Sequence, residues 1–452
     1  MVKEQLINEL RRLGMTYEFG ERRDFIGFPV KPLVIVYPRN EQDVIALVKL
    51  ANEYKVPVIP WGAGTSLTGA LSCDGCVLID MRMMDRVLEV NTVDWYVRVQ
   101  PGIILDRLNE ELARYGFFFP VDPASHYMCT VGGMIATGAG GMRALRYGTM
   151  RDWVLALRVV LPTGEVAQFG EPLRKDRAGY DLVHLFIGSE GTLGIITEAW
   201  LRIIPIPKKP FTTLLIGIEN EDELSKLVTE IRENGLLPEL MEYMDHHSII
   251  AVNKVFNGNL PEAPGGLLII RIEGEYVDDL MNVVRKVGVE SVKVMVSEEE
   301  AKGVLMLRSR AGEAIKAFYG DFFSEDLSLP ISRVSDAIRE VRRIEREMGK
   351  PIPILAHIGD GNIHPHILIE PGKEEEAGRV YEELCRVAIR LGGSITGEHG
   401  VGLQKAPLLY EQFKSRNNLK ALLIMKRIKE LMDPNGIMNP NKYVELSLKY
   451  AD

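Results

Sequence analysis

The sequence predicts an α+β protein of more than one domain, and three observations support this prediction. The chain has 452 residues, more than a single hydrophobic core usually fills, so we expect two or three domains. Strand-like and helix-like segments follow one another without the regular alternation of a parallel Rossmann sheet. A proline-rich break at residues 205–210 then divides the chain near its middle.

The elements before this break are predicted from periodicity and turn residues. Residues 1–10 show the pattern of a charged amphipathic helix, and Asn40 is placed to cap a second helix over residues 41–55. Short apolar runs predict strands at residues 33–37, 56–59, 77–79, 87–90, 96–99 and 155–161.

Beyond the break the pattern changes. Strands at 212–218 and 267–272 are each followed by a helix, at 221–234 and 277–287, which indicates a split βαβ, ferredoxin-like layer. An amphipathic helix at 419–432 follows further on and is closed by Asp-Pro-Asn-Gly. We therefore expect domains at 1–207 and 208–404, followed by a C-terminal segment at 405–452.

Composition excludes several classes of function. The chain is 46% hydrophobic and 26% charged, as in an ordinary soluble globular protein. A net charge of −9 argues against general nucleic-acid binding, which requires a basic surface. No apolar run of about 18 residues predicts a membrane span, and no signal-peptide pattern is present, so we expect a cytoplasmic protein.

The four cysteines do not form a disulfide framework. Cys73 and Cys76 are a lone Cys-x-x-Cys pair around Asp74-Gly75, which is typical of a turn. We favour a plain hairpin turn here over a redox or metal site, with a local disulfide as the remaining option.

Two short segments concentrate groups that can bind metals or carry protons. Residues 357–364 have the sequence His-Ile-Gly-Asp-Gly-Asn-Ile-His, and residues 396–402 have the sequence Thr-Gly-Glu-His-Gly-Val-Gly. Four of the eight histidines lie in or beside them, including His366, which on a strand would share a face with His364. Imidazole and carboxylate are ligands that zinc or manganese accepts. A metal or catalytic site is therefore favoured over packing, although a single histidine in a turn is more often structural.

Three glycine-rich segments, at 61–69, 123–141 and 188–197, share a second chemistry. Glycine allows close backbone approach, and the amides and Ser/Thr hydroxyls can donate to anionic oxygens, which suits a pyrophosphate. None is a Gly-x-Gly-x-x-Gly that opens a helix within a βαβ unit, and there is no Walker lysine, so a Rossmann NAD site and a P-loop are disfavoured.

These motifs carry a family resemblance that extends from about residue 32 to residue 442. The chain resembles the FAD-linked oxidases with a vanillyl-alcohol-oxidase-type flavin domain. More narrowly, it is similar to the D-2-hydroxyacid branch, with glycolate oxidase flavin subunits, D-lactate dehydrogenases and D-2-hydroxyglutarate dehydrogenases. The motifs lie at residues 62–69, 188–194, 357–364, 397–402 and 439–442.

The resemblance implies an FAD-binding domain, a ferredoxin-like substrate (cap) domain and a C-terminal segment that returns to the flavin domain. The residues it places at FAD are Gly62, Ala63, Gly64, Thr65, Ser66, Thr68, Pro123, Ser125, Gly132, Gly133, Thr137, Glu190, Gly194, Ile195, Ile196, Asn439 and Lys442. The pyrophosphate would lie on residues 62–68, and Asn439 and Lys442 would close over the flavin. Trp61 stands where the family often has arginine, and no histidine occupies a flavinylation position, so we expect noncovalent FAD.

For catalysis, we expect His357, His364 and Glu398 to hold a divalent metal, zinc or manganese, that binds the substrate oxygens and lowers the hydroxyl pKa. His399 would take the hydroxyl proton, and Asn362 would bind the substrate or orient a ligand. The resemblance places Arg308 at the substrate carboxylate, which guanidinium binds in a bidentate manner.

The implied reaction is oxidation of a small D-2-hydroxy acid, with D-lactate or glycolate favoured. Residues 324–330 lack the lysine that hydroxyglutarate enzymes carry there, which disfavours a second distal carboxylate. The alternatives are a D-2-hydroxyglutarate dehydrogenase, an alkyl-dihydroxyacetone-phosphate synthase-like transferase and a non-catalytic FAD-carrying electron-transfer subunit.

Oxidation of the substrate requires an acceptor for the electrons, and this acceptor is the expected partner. No cysteine set could hold an iron–sulfur cluster, so a separate acceptor is expected: a quinone, an iron–sulfur subunit or a flavoprotein. A homodimer or a hetero-oligomer is open, as is membrane association through a partner.

Overall fold

The computed structural model describes residues 2–295 and 297–450, which form two compact units. The described residues of the first unit are 2–139, 149–206 and 398–450. Those of the second are Gly140–Gly148, 207–295 and 297–397. The sequence-based division at residues 207 and 404 stays a prediction.

The helices occupy the following residues. They are α1 (Val2–Arg12), α2 (Glu41–Tyr54), α3 (Leu105–Ala113), α4 (Val131–Thr137), α5 (Ala144–Tyr147), α6 (Met150–Trp153), α7 (Val183–Phe186), α8 (Glu221–Glu233), α9 (His246–Phe256), α10 (Val277–Val287), α11 (Glu298–Ser309), α12 (Ala311–Tyr319), α13 (Val334–Met348), α14 (Glu374–Arg390), α15 (Ala406–Ser415), α16 (Leu419–Met432) and α17 (Tyr443–Ser447). Short 3₁₀ turns lie at Met81–Met83, Gly274–Tyr276, Ile331–Arg333 and Leu448–Tyr450.

The strands occupy the following residues. They are β1 (Thr16–Glu18), β2 (Arg22–Arg23), β3 (Pro29–Lys31), β4 (Val34–Tyr37), β5 (Val58–Trp61), β6 (Cys73–Asp74), β7 (Val77–Asp80), β8 (Val87–Asn91), β9 (Tyr96–Val99), β10 (Phe117–Phe118), β11 (Val154–Val160), β12 (Val166–Gly170), β13 (Ile195–Arg202), β14 (Ile204–Pro205), β15 (Phe211–Ile218), β16 (Leu240–Met244), β17 (Gly266–Glu273), β18 (Val292–Met295), β19 (Phe322–Ser324), β20 (Leu327–Ser328), β21 (Ile354–His357) and β22 (Asn362–Leu368).

The first unit is built around two larger sheets. One has the order β1-β4-β7-β5, in which β4, β7 and β5 are parallel, and α1 and α2 contribute apolar residues to its core. The helix α2 begins as predicted, because the Asn40 side chain accepts from Asp43 N at 3.0 Å. The second sheet is antiparallel, with the order β12-β11-β13-β9-β8.

The second unit contains the predicted ferredoxin-like layer. Strands β15 to β18, with α8 and α10 as crossovers, lie in the order β18-β15-β17-β16, which is the split βαβ arrangement. The sheet is antiparallel and continues beyond β16 through β21 and β22 to β19, with β20 also paired to β22. The histidine-rich segment at 357–364 therefore lies on an extension of this sheet. The prediction of an α+β fold is confirmed.

The favoured prediction for Cys73 and Cys76 was wrong. Asp74 and Gly75 do form a turn, with Gly75 at φ +75°, but a disulfide joins the two cysteines. The spacing alone did not distinguish these outcomes, because both fit a four-residue turn. Within the described residues, no helix combines the length and apolar character needed to cross a membrane.

The C-terminal segment is tied into the first unit by a buried lysine. Lys429 Nζ donates to Asp433 Oδ2 at 2.6 Å, to Thr192 O at 2.8 Å and to Met438 O at 2.6 Å. Met438 in turn forms a parallel bridge with Val58 at the start of β5. A buried charge is tolerated only when it is paired and hydrogen-bonded, and Lys429 meets both conditions.

Replacing Lys429 with methionine should lower the free energy of unfolding by about 3–5 kcal/mol, because Asp433 would be left as an uncompensated buried charge. Lys426→Met on the same helix is the matched control. Its ammonium lies 3.6 Å from Glu430 and its side chain is 48% exposed, so the cost should stay below about 1 kcal/mol. Denaturant unfolding of both variants checks this, and equal losses would contradict it.

Candidate functional site

The three glycine-rich segments meet around helix α4. The Thr130 hydroxyl accepts from Gly133 N at the start of α4, and a Cβ added to Gly62 would lie 2.4 Å from the same hydroxyl oxygen. From the third segment, Glu190 N donates to Ala136 O at 2.8 Å. The absence of a side chain at position 62 therefore permits a close approach between the first and second segments.

The C-terminal motif completes this cluster. Asn439 Nδ2 donates to Ala70 O at 3.0 Å and to Glu190 O at 2.8 Å, so it joins the chain that follows the first segment to the third. Lys442 Nζ donates to Asn439 Oδ1 at 2.7 Å. Asn439 and Lys442 are both buried.

The structure places the other residues predicted to bind FAD in two further positions. Pro123 and Ser125 lie in a turn whose carbonyls accept from the amides of residues 126, 128 and 129. Gly194 precedes β13, where a Cβ would lie 2.7 Å from Val159 on the neighbouring strand. Ile195 and Ile196 pair with β11. Their contribution to cofactor binding stays a prediction.

The cluster has the character of a cradle for an anionic group. Thr68 Oγ1 is buried and has no hydrogen-bond partner among the described residues, so its hydroxyl is available to a bound molecule. A Cβ on Gly402 would lie 2.3 Å from Thr68 O, so this position allows only glycine. Small residues and an unsatisfied hydroxyl beside backbone amides fit a phosphate-bearing cofactor.

Glu190 is a buried carboxyl group of this region. Its carboxylate accepts from Val401 N at 2.6 Å and from Gly402 N at 2.8 Å. Burial raises the pKa of Glu190 to about 7, against the opposing effect of these two hydrogen bonds and of Lys442. Burial also lowers the pKa of Lys442 to about 8.

In the second unit, the turn between β21 and β22 brings His357 and His364 together. Their ring centroids are 5.2 Å apart, and one nitrogen of each ring lies within 4.8 Å of the other. Gly361 has φ +89° in this turn, and a Cβ there would lie 2.2 Å from Leu329 O, so the turn requires glycine. Both imidazoles are buried.

Glu242 connects His357 to the predicted substrate anchor. Its two carboxylate oxygens lie 2.8 Å and 3.0 Å from His357 Nδ1, and its Oε2 lies 2.7 Å from Arg308 Nη2. A proton on Nδ1 that is donated to Glu242 leaves the lone pair on Nε2, the tautomer that binds metals. The contact with Arg308 has the distance of an ion pair but not the angles of a hydrogen bond. Among the described residues, Arg308 Nε and Nη2 are buried without a hydrogen-bond acceptor.

A second buried carboxylate of this unit, Asp326, holds residues near His364 in place. It accepts from Asn362 Nδ2 at 2.8 Å, from Thr396 Oγ1 at 2.6 Å and from Gly397 N at 2.9 Å. His364 Nδ1 lies 3.1 Å from Glu325 O, which again favours a lone pair on Nε2. Asn362 thus lies beside His364 with its amide nitrogen held in place.

Three histidine and glutamate residues singled out from the sequence remain: Glu398, His399 and His366. Glu398 and His399 open the last segment of the first unit, directly after Gly397, and Glu398 Oε1 lies 3.7 Å from His399 Nε2. His366 shares a strand face with His364, as predicted, but its Nδ1 lies 3.2 Å from Pro353 O. Burial, with the charge of Arg308, lowers the pKa of His366 to about 3, so it stays neutral.

Sequence reasoning missed Glu242, Glu325 and Asp326. Each is completely buried, and each contacts a residue that was predicted from the motifs. A signal existed for Glu242, because a lone acid in the otherwise apolar run Leu-Met-Glu-Tyr-Met must be paired once the strand is buried. Its partners, however, are far away in sequence.

Comparison with protein families identifies the class of this protein. Residues 32–170 match the FAD binding domain model, and residues 208–443 match the model for the C-terminal domain of FAD linked oxidases. The chain therefore belongs to the FAD linked oxidases. It is an FAD-dependent oxidoreductase that acts on a CH–OH donor.

The chain is similar to individual named proteins and to a solved structure. The mitochondrial D-lactate dehydrogenase [cytochrome] of Arabidopsis thaliana is 36% identical, over 98% of this chain and 80% of its own. The glycolate oxidase subunit GlcD of Bacillus subtilis is 33% identical, over 91% of this chain and 88% of its own. A solved structure of 4-ethylphenol oxidase from Gulosibacter chungangensis has a TM-score of 0.73 at 19% identity, covering 91% of this chain and 89% of that one. It shows the fold alone, and together with the two family models it confirms the predicted α+β fold of an FAD-binding domain and an FAD-linked oxidase C-terminal domain.

The raised pKa of Glu190 predicts a specific dependence of stability on pH. Between about pH 4.5 and pH 7 the unfolded chain loses this proton while the folded protein keeps it, so the free energy of unfolding falls as pH rises. The fall should be on the order of 3 kcal/mol over this window. Unfolding of the Glu190→Gln variant across the window should show a correspondingly flatter profile. Glu110→Gln, at an exposed carboxylate, is the control, and a wild-type slope in both variants would refute the prediction.

Proposed function

We propose that this protein oxidises a small D-2-hydroxy acid, with D-lactate or glycolate favoured, to the 2-keto acid. The observation that carries the proposal is a buried arginine with unsatisfied donors, Arg308, which shares a carboxylate with the candidate metal ligand His357. The names of the relatives from Arabidopsis and Bacillus agree with this class of substrate.

Arg308 is proposed as the anchor of the substrate carboxylate. A buried guanidinium whose donors lack acceptors is costly, and a carboxylate would supply acceptors in the geometry that guanidinium prefers. Glu242 holds the guanidinium from one side, so Arg308 is fixed before the substrate arrives.

His357, His364 and Glu398 are proposed as ligands of a divalent metal, zinc or manganese. Two imidazoles whose Nδ1 atoms face oxygen acceptors present their Nε2 atoms as ligands. Gly397 belongs to the second unit, where its amide nitrogen donates to Asp326. Glu398 follows directly, so the Cα atoms of Gly397 and Glu398 are about 3.8 Å apart. When bound, the metal supplies a Lewis acid that lowers the pKa of the substrate hydroxyl.

His399 is proposed as the base that takes the hydroxyl proton, because imidazole ordinarily titrates near neutrality. The amide nitrogen of Asn362 donates to Asp326 and to Leu327 O, so its carbonyl oxygen is the atom we assign to substrate binding or ligand orientation. His366 is not used, since its low pKa keeps it from carrying a proton near neutral pH.

The residues of the first unit are proposed to hold FAD noncovalently. The backbone and hydroxyls of residues 62–68 would bind the pyrophosphate, with Thr68 as one donor. When bound, FAD would supply the acceptor for the hydride that leaves the substrate carbon. The onward acceptor, which we propose is a quinone, an iron–sulfur subunit or a flavoprotein, is then a separate partner. A cytoplasmic location also belongs to this proposal.

Anaerobic titration of the FAD-loaded protein tests the reaction. D-Lactate or glycolate should bleach the flavin absorbance, while L-lactate and D-2-hydroxyglutarate should react much more slowly. A chelator should suppress the bleaching, and His399→Ala should slow it by about 10²–10⁴-fold while the flavin stays bound. Rapid bleaching by the chelated protein would refute the metal, rapid bleaching by His399→Ala would refute the base, and no bleaching by any 2-hydroxy acid would favour an electron-carrying subunit.

Glu242→Gln tests whether Glu242 orients His357 for metal binding. Loss of the carboxylate that faces His357 Nδ1 should weaken metal affinity by about 10–100-fold, measured by chelator competition. Glu239→Gln is the control, because Glu239 is also buried but pairs with Arg271 and Arg143. Equal metal affinity in the two variants would contradict the assigned role of Glu242.

A further inference from the structure

Helix α16 exposes apolar and cationic side chains on the side opposite its buried residues. Leu422 and Lys429 form the buried side. The outer face, as we define it, consists of Lys420, Leu423, Ile424, Arg427 and Leu431. Positions 420, 424, 427 and 431 follow the spacing of one helical stripe, and position 423 lies beside it.

The apolar members of the outer face are strongly exposed. Leu423 and Ile424 are 47% and 48% exposed, and Leu431 is 80% exposed. Single exposed apolar residues are ordinary, but three on one side of a helix within three turns concentrate apolar surface into a patch. Since burial of apolar area is favourable, such a patch indicates that another surface covers it.

The charges of the same region are one-sided. Residues 414–431 carry five exposed cations, Lys414, Arg416, Lys420, Lys426 and Arg427, and one glutamate, Glu430, in a chain whose net charge is −9. Within the described residues, Lys420 and Arg427 have no hydrogen bond or ion pair, whereas Lys426 lies 3.6 Å from Glu430. The outer face therefore presents two cations without acidic partners.

We propose that the outer face of α16 docks onto an anionic lipid surface. Leucine and isoleucine would enter the boundary between headgroups and acyl chains, while Lys420 and Arg427 would extend to the lipid phosphates. The lysine of the outer face argues against a protein partner, because the centres of protein interfaces are depleted of lysine.

Lipid docking would place the protein where a lipophilic electron acceptor resides, but the inference does not depend on the proposed substrate. It rests on charge complementarity and on the exposure of α16 alone. Binding to vesicles can therefore fail while the flavin is still reduced by a 2-hydroxy acid. Equally, the protein can bind vesicles while no 2-hydroxy acid reduces the flavin.

Co-sedimentation of the full, FAD-loaded chain with vesicles tests the proposal. Vesicles of phosphatidylglycerol and phosphatidylcholine should bind the protein, and vesicles of pure phosphatidylcholine should bind it much less. Salt at 0.5 M should weaken the binding, because this is roughly five times the ionic strength at which the Debye length is about 10 Å. The double variant Lys420→Glu/Arg427→Glu should lower the partition coefficient by at least about 25-fold, since each cation contributes about fivefold. Ile424→Gln/Leu431→Gln should lower it by at least about tenfold.

Matched variants separate this face from general surface effects. Lys226→Glu/Lys302→Glu changes the net charge equally at exposed positions of other helices, and Val93→Gln/Tyr180→Gln removes exposed apolar side chains elsewhere. Both controls should bind as the wild type does. The proposal is overturned if the wild type does not bind anionic vesicles, if α16 variants and controls bind equally, or if sedimentation shows a dimer that the α16 variants abolish.

Discussion

The proposed chemistry in the second unit depends on one buried carboxylate, that of Glu242. It lies in the middle of a completely buried strand, and it faces both the Nδ1 atom of His357 and the guanidinium of Arg308. A charge in such a place is stable only when it is paired, so Glu242 and Arg308 require each other. A substrate carboxylate on Arg308 would share the guanidinium with Glu242, which links substrate binding to the orientation of a metal ligand.

Two further carboxylates hold the glycine-rich segment that carries Glu398 and His399. Asp326 accepts from Gly397 N at its start, and Glu190 accepts from Val401 N and Gly402 N at its end. The glycines of this segment are needed for contact: a Cβ on Gly397 would lie 2.6 Å from Asn362 Nδ2, and one on Gly400 would lie 2.7 Å from Glu190 Oε1. Its glycines thus serve close packing against buried polar groups, as well as any approach to a ligand.

The sequence was informative where local rules decide the structure. Helices α10 and α16 have the predicted bounds, Asn40 caps α2, and the ferredoxin-like layer follows from its strand and helix rhythm. The pairing of Glu242 with Arg308 and His357 was not predictable, because their contact depends on strand order and on residues more than 60 positions apart. The disulfide of Cys73 and Cys76 was only the remaining option behind the favoured plain turn, since the same turn accommodates free thiols or a bond.

An anomalous-difference map offers the most direct measurement of the central claim, that His357 and Arg308 are prepared by Glu242 for a metal and a carboxylate. Crystals of the FAD-loaded protein would be grown with manganese and oxalate, a dicarboxylate stand-in for the substrate. The account predicts a peak within about 2.0–2.3 Å of Nε2 of both His357 and His364, with an oxalate carboxylate on Arg308. A peak at other residues, or an Arg308 that binds only Glu242 in the loaded protein, would contradict it.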